Sequence, residues 1–129
     1  MKPSLQFSIP CLDVKEEDGP PSLEHIFYEL PFPQFPFTFP GRGFFINNGW
    51  CNGKGQFVQS MKILKPDGTP LVETGEQPFT LEETDTPFMA VNLFNGVIFE
   101  TPGTYMVQVY LDGEIKLEYP LVVRKADIK

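Results

Sequence analysis

From Tyr105 onward apolar side chains fall on every second residue (Tyr105, Val107, Val109, Leu111) until Asp112-Gly113 interrupts them, and Ile115, Leu117 and Tyr119 then resume the same period. Alternate residues of an extended chain share one face, and Asp-Gly supplies the positive backbone angles of a two-residue turn, so the segment reads as a β-hairpin with one buried face. Leu121-Val122-Val123 carries the second arm past Pro120. A proline donates nothing to a strand ladder, so a bulge or a strand edge is expected there.

The remaining residues agree with an all-β reading. Fourteen Pro and eleven Gly in 129 residues argue against helices, because each proline inside a helix costs about 3 kcal/mol. Leu5, Phe7, Ile9 and Cys11 alternate with polar residues or Pro10, which predicts an edge strand. An acidic loop follows over 15–21. Ser22 to Leu30 could start as a short helix capped by Ser22, but Ile26-Phe27-Tyr28 and the flanking prolines favour a strand paired back on the first. Pro31 to Pro40 alternates proline with aromatics and is expected to connect the sheets, its Phe rings capping the core; an exposed aromatic strip is the other reading.

Phe44-Phe45-Ile46 predicts a strand, and the Gly- and Asn-rich run from Asn47 to Gly55, which holds Trp50, predicts a loop. Gln56 to Lys65 and Pro70 to Thr74 read as a hairpin about Pro66-Asp67-Gly68-Thr69, followed by an acidic loop to Asp85 and by 88–92 and 96–99, as one bent strand or two short ones. The expected architecture is one domain over 1–129: an antiparallel two-sheet sandwich, immunoglobulin-like, of about seven to nine strands. Thirteen Phe predict an aromatic core.

The order Cys11-Leu12-Asp13-Val14, an Asp18-Gly19 turn, Ser22-Leu23 leading to Ile26-Phe27, and Phe35-Pro36 is followed by Pro66-Asp67-Gly68, Gly103-Thr104-Tyr105, Leu111-Asp112-Gly113 and Pro120-Leu121. Together these resemble an uncharacterised bacterial family of small β-sandwich domains, a domain of unknown function. The resemblance spans most of the chain and implies the same fold. It implies no catalytic or binding residue.

Charge and residue inventory narrow the function. A net charge of −7 opposes binding to phosphate backbones, which relies on Lys and Arg, so no nucleic-acid partner is expected. No stretch approaches the roughly 18 apolar residues of a spanning helix, and the N-terminal segment lacks an unbroken apolar run, so no membrane partner and a cytoplasmic setting are expected. Cys11 and Cys51 are then expected as free thiols.

His25 is the sole histidine. Nucleophilic catalysis would need it beside Ser22, Ser60, Cys11 or Cys51, none of which lies in a nucleophile-elbow motif. Two Cys and one His at long spacings do not form a zinc set, and the acidic loop with Glu82, Glu83 and Asp85 lacks the pattern of a dedicated calcium loop. No catalytic residue, metal or cofactor is therefore expected. The expectation is a non-enzymatic binding or structural module acting through a protein partner or self-association. The alternative is a carbohydrate-binding module. Its aromatic surface, or a partner surface, would be Trp50, Phe44, Phe45 and Tyr110.

Overall fold

The computed structural model describes residues 1–17 and 19–126, so Asp18 of the acidic turn lies outside the described residues. These residues form an all-β fold of twelve strands. In chain order they are β1 (Ser4–Lys15), β2 (Ser22–Ile26), β3 (Glu29–Phe32), β4 (Phe37–Thr38), β5 (Phe44–Cys51) and β6 (Gly55–Leu64). β7 (Pro70–Glu73), β8 (Gln77–Leu81), β9 (Phe88–Phe94), β10 (Ile98–Phe99), β11 (Gly103–Leu111) and β12 (Glu114–Lys125) complete the set.

A four-stranded sheet in the order β2-β1-β5-β9 faces a six-stranded one in the order β3-β12-β11-β6-β7, with β8 also pairing β6, and β4 and β10 form a small third sheet. The expected seven to nine strands are exceeded because segments read as one strand or as loop are divided. Ser22 to Leu30 becomes β2 and β3, which belong to different sheets. His25 sits in the left-handed region at φ 57° near the end of β2, and Phe27-Tyr28 carries the chain across. The acidic loop contains β8, whose Phe79 and Leu81 are buried. The sandwich is also not wholly antiparallel, since β3 runs parallel to β12.

Both predicted turns are present. Asp112 and Gly113 have φ of 49° and 82°, the two positive angles that a type I′ turn requires and that match the twist of the β11–β12 strands. At the other turn Asp67 Oδ1 accepts from Thr69 N at 2.9 Å and Thr69 Oγ1 at 2.6 Å. Pro120 makes no bulge. It stands in register opposite Met106, and the register shift lies between Val109 and Tyr110. The proline is tolerated because β3 pairs with β12 only from Val122 onward, leaving an open edge at Pro120.

The expected loop from Asn47 is the main departure: β5 continues through Asn47, Asn48, Gly49 and Trp50 to Cys51 as an interior strand between β1 and β9. Phe44, Ile46, Asn48 and Trp50 face the core. Phe45, Asn47 and Gly49 face the other way and are buried as well. Gly49 leaves room for the ring of Phe7, which lies across it: a Cβ would stand 2.2 Å from that ring and displace it. Asn47 donates to Ile9 O at 3.0 Å and to Cys11 Sγ at 3.2 Å.

The Phe/Pro stretch closes one end of the core. Phe32 is buried and stacks on Phe37 at 4.0 Å, with Phe39, Phe44 and Phe99 in edge or tilted contact around them. Each buried ring contributes about 1.5–3 kcal/mol of transfer free energy relative to exposure. The rings of 31–40 thus serve as an end cap rather than a free aromatic strip.

Candidate functional site

A central polar network and, at one side, a hydroxyl pair span the space between the main sheets. In the centre Gln59, fully buried on β6, accepts at Oε1 from Trp50 Nε1 at 2.9 Å and from Asn48 Nδ2 at 3.2 Å. Its Nε2 donates to Gln77 Oε1 at 2.6 Å and to Asn92 Oδ1 at 3.0 Å. Asn92 in turn donates to Ile46 O and Ala90 O. Every hydrogen-bonding site of the Gln59 amide is used, which is what burial of a polar side chain demands.

The second contact lies at one side of the sandwich, where both sheets have open strand edges. β1 meets β2 only from Cys11 onward, so Ser4 to Pro10 is paired on the β5 side alone. β12 meets β3 only from Val122, so Glu114 to Leu121 is paired on the β11 side alone. Pro10 and Pro120 stand near the ends of these open stretches. Pro10 O accepts from Phe27 N at 3.2 Å. The N and C=O of a strand residue point the same way, so the missing donor of Pro10 faces this open side and costs the ladder nothing. Ser4 to Pro10 is thus the expected edge, paired with β5 alone; Cys11 is flanked by β5 and β2, and Asp13 to Lys15 pairs with β2 alone.

Between the two stretches is a cleft of about 250 Å³ lined by Ser8, Pro10, Ile26, Tyr28, Tyr119 and Pro120, among others. Ser8 Oγ and Tyr119 Oη, 2.8 Å apart, join the sheets in this lining. Burial raises the Tyr119 hydroxyl to about 12, against a smaller lowering by the Ser8 hydrogen bond. Ile26 and Tyr28, on the crossing from β2 to β3, are 57% and 86% exposed. An apolar recess with a neutral hydroxyl pair and two exposed apolar side chains at its rim suits an apolar or aromatic group with one polar end.

The four residues singled out from sequence are not brought together on one surface and do not line this cleft. Trp50 and Phe44 are fully buried. Phe45 lies on the opposite face of β5, with the Arg42 guanidinium 5.5 Å from its ring centre. Tyr110 is on the other sheet, donating to Gln108 Oε1 at 2.7 Å beneath Lys62. Trp50 was expected beside the others because 47–55 reads as a loop; as strand, its ring points inward.

His25 is exposed, Cys11 is buried and Cys51 half-buried, and both thiols are free. Burial pushes the Cys11 thiol up. Among the described residues no group of three or more His, Cys, Asp or Glu is placed to hold a metal ion, and no helix is long and apolar enough to cross a membrane. The cleft residues Ser8 and Tyr119 escaped sequence reading. The only signal for them was the pair of strand prolines, Pro10 and Pro120, that mark the two open edges.

No curated protein matches this chain. A family model does, over residues 6–124, described as a family of unknown function, DUF6941. The match covers nearly the whole sandwich, from the first strand to the last, and the chain belongs to that family.

Proposed function

We propose that this protein is a non-enzymatic binding module whose contact surface is the open side of the sandwich, where the cleft between β1 and β12 takes an apolar or aromatic side chain of a protein partner. The supporting observation is the exposed pair Ile26 and Tyr28, 57% and 86% accessible, at the rim of an apolar recess. Exposed apolar groups clustered about a recess favour association, whereas the same residues scattered singly would not. A carbohydrate-stacking role for Trp50 would need its ring to leave the core and give up its bond to Gln59.

A random-peptide library selected against the immobilised chain tests this. Binders enriched in aromatic or large apolar residues are expected, with at least a tenfold weaker hold on the double variant Ile26→Ser, Tyr28→Ser. Both positions are exposed, so that variant keeps the fold. Binders indifferent to it would remove the cleft from consideration.

A further inference from the structure

Most edges of the two main sheets carry a charge or a proline. β2 carries Glu24 and His25, β3 carries Glu29 and Pro31, β7 has Pro70 and Glu73, and β8 has Pro78. The open stretch of β1 ends at Pro10, and that of β12 holds Glu114, Lys116, Glu118 and Pro120. Charges and prolines of this kind prevent a strand edge from pairing with another chain. β9, the outer strand of the four-stranded sheet, reads Phe-Met-Ala-Val-Asn-Leu-Phe over Phe88–Phe94 and has neither.

The strand ladder also says which groups β9 leaves unpaired. Pro10 turns its backbone polar groups away from β5, so its partner Ile46 turns its own toward β9, and Asn92, opposite Ile46, points back to β5. Alternation then directs the N–H and C=O of Met89, Val91 and Leu93 outward. Among the described residues no hydrogen bond outside the β5 ladder ends on those groups. Their side chains lie on the face of the sheet away from the core, with Val91 37% and Leu93 46% exposed.

We propose that β9 pairs with β9 of a second copy of this chain, antiparallel about a two-fold axis at Val91, joining two four-stranded sheets into one continuous sheet. The strand is its own complement in that arrangement: Val91 meets Val91, and Met89 meets Leu93 in both directions, with on the order of six backbone hydrogen bonds exchanged. The charge of −7 repels two copies over most of their surface, and β9 has no charged residue to add to that repulsion. This surface is separate from the cleft, and the inference does not depend on it.

Sedimentation velocity on the full chain over a concentration series, with Cys51→Ser to remove the half-buried thiol, is expected to give a reversible dimer. Val91→Lys sets two ammonium groups together at the axis and is expected to give a monomer with an unchanged circular dichroism spectrum, whereas Ile26→Ser with Tyr28→Ser leaves the dimer intact. Val91→Cys provides a check that does not depend on that variant's folding. A directly opposed hydrogen-bonded pair has a Cα separation of about 5.5 Å, within disulfide reach, so mild oxidation should link the chains there and not at Ile115→Cys on the β12 edge. A monomer at every concentration, a dimer that survives Val91→Lys, or equal cross-linking at Ile115→Cys would each overturn the proposal.

Discussion

Gln59 in the centre and the Ser8–Tyr119 pair at the open side are both polar bridges between the same two sheets, yet their surroundings give them different work. Gln59 binds four side chains at full burial, three of which (Trp50, Asn48 and Asn92) come from the opposite sheet. Any slip of one sheet on the other breaks several bonds at once, so the network selects one alignment. The hydroxyl pair makes a single bond at 2.8 Å beside open strand edges. It can be lost cheaply, and it can be reached from outside. One polar contact specifies the fold, and the other sits where a ligand can arrive.

The comparison is broken most forcefully at Gln59. Gln59→Leu keeps the volume but leaves Trp50 Nε1 and Asn92 Oδ1 without their buried partner and Asn48 Nδ2 with only Met61 Sδ, and urea unfolding is expected to show a loss of about 3–5 kcal/mol. Tyr119→Phe removes one part-buried hydrogen bond and is expected to cost about 1 kcal/mol in the same assay. If the two losses were equal, the division between centre and side would fail.

Alkaline unfolding sharpens the difference. The Tyr119 hydroxyl is raised from its ordinary 10.0 to about 12, so the folded protein favours the neutral phenol. That contribution is complete below pH 10 and is lost as pH rises toward 12. Stability should therefore fall across that window in the parent chain and fall less in Tyr119→Phe. The smallest effect concerns access: iodide should barely quench Trp50 in the parent or in Tyr119→Phe, whereas Gln59→Leu should raise quenching measurably.

How much of this was legible in the chain depended on how local the cause was. The hairpins about Asp67-Gly68 and Asp112-Gly113 were readable because neighbouring residues decide them. β5 was misread at Asn47-Asn48-Gly49, whose composition signals a turn. Its strand geometry is set by partners elsewhere: the ring of Phe7 over Gly49, Ile9 and Cys11 around Asn47, and Gln59 under Asn48. The cleft was invisible for the same reason, since Ser8 and Tyr119 are 111 residues apart and only the folded topology brings them together.

The parallel pairing of β3 with β12 has a consequence for how the chain is made. Glu29 on β3 holds Arg124 on β12 at 3.1 Å, a contact separated by 95 residues. On the ribosome β1, β2 and β5 can associate early, and β4 can join β10, but β3 has no strand to pair with until the last arm emerges. The larger sheet closes late, as expected of a fold built from distant pairings, and a nascent or truncated chain lacking β12 should display Leu30 and the unpaired edge of β3 to whatever chaperone or aggregate meets it first.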